Sequence, residues 1–135
     1  MASIIIMTGQ QAGTYYPLGH RTTVIGRAES LLVQILDEQV SRKHLQIRYD
    51  DKTRTYYALD MSSTNGVFIN GRKITEETAL ADNDGIGIGN TSLLFTKRDF
   101  EDAESALHYF KKAGERVKST IVQSMQSETR PMRRA

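Results

Sequence analysis

The sequence predicts an all-β sandwich of short strands followed by one amphipathic α-helix. Three observations predict it. Up to about residue 98 the apolar residues come in bursts of strand length, separated by Gly, Asn and Asp. Turn signals recur every 8–12 residues or so, a spacing typical of sandwiches. Near Asp99 the character changes: from there to about Ser127 there is no proline, one glycine and an apolar period of three and four.

The strands follow in order. Ile4-Ile5-Ile6 is an apolar run of strand length. Thr22-Thr23-Val24-Ile25 and Val33-Gln34-Ile35-Leu36 are rich in β-branched residues, which suit a pleated sheet. His44 to Tyr49 alternates, so Leu45, Ile47 and Tyr49 share one face. Thr55 to Leu59 contains two tyrosines and reads as its hairpin partner, with Asp50-Asp51-Lys52 in the turn. Val67-Phe68-Ile69, Ile86-Gly87-Ile88 and Ser92-Leu93-Leu94-Phe95 complete the set. Asn70-Gly71, between Val67–Ile69 and Lys73-Ile74, predicts a two-residue hairpin because both positions tolerate positive φ. Asn83-Asp84-Gly85 marks a further turn.

The helix is expected over about 99–127. Asp99 suits its cap, Glu101, Asp102 and Glu104 crowd its first turns, and Lys111, Lys112, Arg116 and Lys118 lie further along. That order of charge matches the helix dipole. Phe100, Ala103, Leu107, Phe110, Val117 and Ile121 form the apolar stripe. Two outcomes are open: docking on the chain's own domain or a partner, or self-association as a homodimer through this helix. Gly114 and the uncharged column Ala106, Ala113, Thr120 weaken a coiled coil. The remainder, Glu128 to Ala135, reads as a flexible polar tail. The expected division is therefore 1–98 for the sandwich domain and 99–135 for helix and tail.

Composition excludes several classes. Hydrophobic residues make up 39% and charged residues 25%, ordinary for a globular chain. A net charge of +2 is too small for the basic footprint of a nucleic-acid binder. There are no cysteines, so disulfides and thiolate metal sites are out. The three histidines lie far apart and show no metal-ligand spacing. Nothing approaches the roughly 20 apolar residues of a membrane span, and the first residues have no basic stretch of a signal peptide. A cytoplasmic protein without cofactor or metal is expected.

Three segments share one chemistry: Gly26-Arg27, Ser41-Arg42-Lys43-His44 and Ser62-Ser63-Thr64-Asn65-Gly66. Each offers groups that bind an oxyanion, and each sits where the apolar pattern breaks. Such loops can grip a phosphate without acting on it. Ser41 and His44 alone do not make a hydrolase site, which also needs an orienting acid and an oxyanion hole. Asp82-Asn83-Asp84-Gly85 lacks the remaining ligands of a calcium loop and reads as a plain turn. No enzymatic activity is expected.

At these residues the sequence resembles the forkhead-associated (FHA) domain. The resemblance runs from about residue 3 to 97 and rests on four blocks in the family's order. They are Ile25-Gly26-Arg27; Val40 to His44; Leu59-Asp60 leading to Ser62 through Gly71; and Leu80 through Gly89. It implies an FHA/SMAD-type β-sandwich of about eleven strands with its loops gathered at one end. It also implies recognition of phosphothreonine in an extended peptide, by an adaptor working downstream of Ser/Thr kinases. The implied partners are a Thr-phosphorylated protein or peptide and a Ser/Thr kinase or its substrate, with no nucleic acid and no membrane.

By that resemblance Arg27, Ser41, Thr64 and Asn65 are contact residues, joined by Arg42, Lys43 and Ser63; which of Arg42 and Lys43 turns inward stays open. A phosphothreonine brings about −1.5 to −2 charges and three acceptor oxygens. Arg27 offers a planar fork of donors, Ser41 a compact hydroxyl, and Asn65 both a donor and an acceptor for peptide main chain. His44 is implied to hold the loops without touching phosphate. Gly26, Gly66 and Asn70 are expected where a backbone turn obstructs an ordinary side chain. The rival within the same fold is a phospho-independent scaffold or oligomerisation protein, expected to have lost residues of these types. Ligand preference beyond the phosphothreonine is assigned to Ala28–Leu32 and Asn90-Thr91 as candidates.

Overall fold

The computed structural model describes residues 2–98 and 105–112. Eleven strands among them form two sheets. The first sheet holds β1 (Ser3–Ile6), β2 (Tyr15–Pro17), β7 (Val67–Ile69), β8 (Arg72–Lys73), β10 (Gly85–Ile88) and β11 (Thr91–Thr96), in the order β2-β1-β11-β10-β7-β8. The second holds β3 (Thr23–Gly26), β4 (Val33–Gln34), β5 (Leu45–Asp50), β6 (Thr55–Asp60) and β9 (Thr78–Ala79), in the order β4-β3-β5-β6-β9. β3 and β4 pair in parallel; the other pairs are antiparallel.

Period-two patterning builds the core. Ile4 and Ile6, Ile86 and Ile88, Leu93 and Phe95 face Ile25, Leu45, Ile47 and Ala58 across the sandwich, all essentially without solvent contact. Tyr56 continues this core toward the surface: its ring lies 5.5 Å from Phe95 and 4.8 Å from Tyr49, which stacks on His20.

The register places one set of loops at one end. Ile25 pairs with Leu45 and Leu45 with Asp60, so the loops leaving β3, entering β5 and leaving β6 are neighbours. Ile88 pairs with both Val67 and Thr91, which brings the start of β7 and the β10–β11 turn to an end of the other sheet. These are the loops that carry the three oxyanion-binding segments.

The predicted elements are present with shifted bounds, and two strands were missed. Val33–Leu36 forms a ladder only at Val33–Gln34. β4 is an edge strand, and a side chain closes its outer rim: Gln11 Nε2 donates to the Gln34 carbonyl at 2.8 Å and Gln11 Oε1 accepts from Leu36 N–H at 2.9 Å. The β5–β6 turn lies at 51–54 rather than 50–52, because Arg54 supplies the positive φ of 55° that closes it. Asn70 and Gly71, at φ 51° and 85°, form the expected hairpin turn. Asn70 also anchors the neighbouring turn, donating to Asp84 and accepting from Gly85 N–H. β2 and β9 are short and partly polar, so neither carries an apolar signal of its own.

Residues 105–112 form a helix, α1. It docks on its own domain. Ala106 is fully buried, and a β-carbon at Gly13 would lie 3.7 Å from Leu107 Cδ1 and 3.9 Å from Phe110 Cδ2. The Tyr109 hydroxyl bonds Asn83, and Arg98 lies over the Tyr109 ring. Ile5 points away from the sandwich interior yet is fully buried, which fits cover on this side of β1. The remainder of the helix expected over 99–127, its cap at Asp99 and the tail to Ala135 lie outside the described residues.

Phe95 is the largest fully buried side chain, and its ring packs against that of Tyr56. Phe95→Ala is expected to cost about 3–5 kcal/mol, measured as a lower urea midpoint with an unchanged slope.

Candidate functional site

The site begins with a close approach of backbones. A β-carbon at Gly26 would lie 2.3 Å from the Arg42 carbonyl oxygen and 2.9 Å from that of Ser41. Only glycine lets the end of β3 touch the 41–42 loop. At Gly26 the obstruction to a β-carbon is one of space, since its φ is not positive. This contact seats two bonds, Arg27 N–H to Ser41 O at 3.0 Å and Ala28 N–H to Arg42 O at 3.1 Å.

Arg27 thus starts beside Ser41. Its Nε donates to the Val40 carbonyl at 3.0 Å, which fixes the plane of the guanidinium. No carboxylate pairs with it among the described residues, where the one ion pair is Arg48–Glu77. Arg27 and Arg42 line an open depression of about 630 Å³ together with Glu29, Ser30 and Gln34. Arg42 and Lys43 are both exposed, and of the two only Arg42 lines the depression.

His44 joins the second and third segments. It is fully buried. Its Nδ1 accepts from Ser41 N–H at 2.9 Å, so Nε2 carries the proton and donates to the Gly66 carbonyl at 2.7 Å. One ring thereby satisfies two backbone groups, on the loop that holds Ser41 and on the one that holds Gly66, 22 residues beyond the histidine. Gly66 stands at φ 85°, where a β-carbon is strained, as the sequence predicts.

The 62–66 turn is tied down from within. Ser63 N–H donates to Asp60 Oδ1 at 3.0 Å, and Ser63 Oγ accepts from Gly66 N–H at 2.9 Å. Ser63, expected as a contact residue, has its N–H and one oxygen lone pair employed in the turn; its hydroxyl hydrogen, like that of Ser41, is not used by either bond. Thr64 N–H donates to Ser41 Oγ at 3.0 Å. Because that oxygen accepts there, the Ser41 hydroxyl hydrogen is free to turn outward. The Thr64 backbone N–H is spent, so its hydroxyl is the remaining donor. Asn65 Nδ2 donates to the Gln39 carbonyl at 2.8 Å and to Gln39 Oε1 at 3.2 Å, leaving its own Oδ1 for an incoming N–H.

Two supporting residues escaped sequence reasoning. Gln39 holds Asn65, and Asp37 holds Gln39. Asp37 Oδ1 accepts from Gln39 N–H at 2.9 Å, while Oδ2 accepts from Asn90 N–H at 2.8 Å and from the Thr91 hydroxyl at 2.7 Å. Partial burial pushes the Asp37 carboxyl up, but the bonds from Thr91, Gln39 and Asn90 outweigh it and hold the carboxyl below its ordinary value. Gly89 lets the β10–β11 turn close onto this loop, since a β-carbon there would lie 2.8 Å from the Gln39 carbonyl carbon. The available signal was an Asp two residues ahead of a backbone N–H it can bond, an Asx turn. Of the candidates for ligand preference, Glu29 and Ser30 line the depression, Ala28 is buried, and Asn90 and Thr91 bind Asp37.

The site therefore gathers two guanidinium groups, two hydroxyls and a carboxamide on loops that are held by internal bonds. It can chelate an oxyanion. His44 bonds the Ser41 N–H and not its hydroxyl, so it is not placed to take a proton from that oxygen.

A sequence model of the FHA domain matches residues 23–89. The chain is 32% identical over 92 residues to the FHA domain-containing protein FhaA of Mycobacterium tuberculosis, covering 68% of this chain and 17% of that protein. It spans less than two thirds of the length of the curated relatives it matches first. A domain solved in a structural and functional analysis of phosphothreonine-dependent FHA domain interactions superposes with a TM-score of 0.65 at 28% identity, over 73% of this chain and 98% of that one. Mycobacterium tuberculosis EmbR, solved with a low-affinity phosphopeptide, superposes with a TM-score of 0.64 at 28% identity, over 75% of this chain and 25% of that one.

Removing the His44 ring leaves a partly buried N–H and a buried C=O unpaired, at about 1–3 kcal/mol each. His44→Ala is expected to lose about 2–6 kcal/mol of stability in urea denaturation. Asp37 adds a pH signature. Its carboxyl is lowered from 3.8, so its stabilisation is complete above pH 3.8 and fades as pH falls through the lower native value. The stability gap between wild type and Asp37→Asn, followed by urea denaturation across pH, should be constant near neutrality and close below about pH 3.8.

Proposed function

The chain belongs to the FHA domain family through residues 23–89, and from this premise we propose that it binds phosphothreonine in partner proteins. The observation that carries the reading is the unpaired guanidinium of Arg27, fixed by Val40 beside the free hydroxyl hydrogen of Ser41. Arg27, Ser41 and Arg42 take the phosphate oxygens. The Thr64 hydroxyl adds a donor, and Asn65 Oδ1 takes a main-chain N–H of the peptide. Lys43 contributes charge at longer range, and Ser63, His44, Gly26, Gly66 and Asn70 shape the loops. In this reading residues 1–98 are the binding unit and 99–135 an appended helix and tail.

Binding here is reversible. A few charge-assisted bonds of about 1.5–3 kcal/mol each oppose an association cost of at least about 4 kcal/mol, which leaves an affinity on the order of micromolar. The protein serves as a non-enzymatic, cytoplasmic adaptor downstream of Ser/Thr kinases. No helix among the described residues is long and apolar enough to cross a membrane. FhaA and EmbR are larger than this chain, so their wider assemblies are not carried over.

Calorimetry with a phosphothreonine peptide tests the reading. Arg27→Ala and Ser41→Ala are each expected to weaken binding tenfold or more, by loss of a charge-assisted bond of about 1.5–3 kcal/mol, with circular dichroism unchanged. Phosphoserine should bind up to about fourfold more weakly, the worth of one buried methyl. Wild-type affinity in Arg27→Ala, or equal binding of the unphosphorylated peptide, overturns the proposal in favour of a phospho-independent scaffold.

A further inference from the structure

We propose that Lys73 reads an acidic side chain of the phosphopeptide, on the Asn65 side of the phosphothreonine. This rests on the phosphothreonine reading above and extends it to the residues around the phosphate.

Lys73 is far from the three oxyanion-binding segments in sequence. The Asn70-Gly71 turn folds β8 back on β7, pairing Lys73 with Phe68. Paired residues of antiparallel strands share a face, and so do residues two apart in one strand. Lys73 and Phe68 thus fall on the outward side of this sheet. There the lysine stem crosses the end of the 62–66 turn: a β-carbon at Gly66 would lie 2.8 Å from Lys73 Cε and 3.6 Å from Lys73 Nζ. Lysine stems lie readily along such surfaces while the ammonium stays in water. The charge is thereby held beside the residue that follows Asn65, on a loop pinned by His44.

Two further observations give the site a polarity. The Lys73 ammonium has no carboxylate partner among the described residues, whereas Arg48 is neutralised by Glu77 at 2.5 Å. On the other side of Ser41, the depression beside Arg27 and Arg42 also contains Glu29. With the phosphate on Arg27 and Arg42, Glu29 is the charge left on that side, so an acidic peptide side chain is favoured at Lys73 instead. A linked row results: Arg27, Ser41, Thr64, Gly66, Lys73. A dianion at its centre leaves Lys73 for the neighbouring residue of the peptide.

The test uses the full chain and a set of phosphothreonine peptides with neutral flanks, each carrying one Glu at a position one to three residues before or after the phosphothreonine. Wild type should bind at least one Glu peptide about two- to fivefold more tightly than the neutral parent, as expected of an exposed ion pair. The preference should shrink at high salt. Lys73→Met keeps the stem on Gly66 and should abolish the preference without changing affinity for the neutral peptide. Lys73→Glu should invert it, favouring Lys at the same position. The proposal is overturned if every Glu peptide binds Lys73→Met as tightly as it binds wild type. Loss of neutral-peptide binding in Arg27→Ala, measured alongside, keeps that failure separate from a failure of phosphothreonine recognition itself.

Discussion

One buried imidazole holds the binding end of this protein together. His44 takes the Ser41 N–H on one nitrogen and gives its proton to the Gly66 carbonyl from the other. Both backbone groups belong to loops that would otherwise have to satisfy themselves in water and would move to do so. The ring removes that freedom. It can do so only because Gly26 has no side chain, for the 41–42 backbone rests where a β-carbon would stand. A glycine and a histidine, neither facing the ligand, therefore decide where Ser41 and Arg27 stand.

Around this centre the polar groups divide into two kinds. Asp37, Asp60, Ser63 and Gln39 spend their hydrogen bonds on loop backbone or on Asn65. Arg27, Arg42 and the Ser41 hydroxyl hydrogen keep capacity facing outward. The first kind sets geometry before any ligand arrives, which lowers the ordering cost of association. The second kind supplies the charge. Mutually repelling guanidinium groups contribute little to folding, so the scaffold must hold them, and the bonds of the first kind do that. Arg48 shows the contrast: its bidentate pairing with Glu77 and its place over Tyr57 leave its charge answered within the fold.

The sandwich was legible because its core strands repeat with period two and break at Gly, Asn and Asp. Ile86-Gly87-Ile88 shows why: the isoleucines face inward, and Gly87 sits under Phe68 on the outer face. The first rank of site residues was legible through their chemistry and their resemblance to a known family. What escaped was whatever depends on distant partners. β2 is a strand because Tyr15 meets Ile5, not because its own pattern demands it. Asp37 looks like a solvated charge until the β10–β11 turn brings Asn90 and Thr91 to it. Lys73 becomes a neighbour of Gly66 only when the Asn70-Gly71 hairpin has folded.

The same economy of donors separates recognition from chemistry. A nucleophilic site needs a base whose proton can move during the reaction, within reach of the hydroxyl it activates. His44 is close in sequence to Ser41, yet both ring nitrogens are committed to backbone groups in a buried position. Releasing either bond would loosen the loops that build the site. Dianion recognition makes the opposite demand, for donors that stay still while the ligand comes and goes. Fixing Arg27 through Val40, and Ser41 through Thr64, meets that demand at two points with bonds to backbone, which no ligand need break.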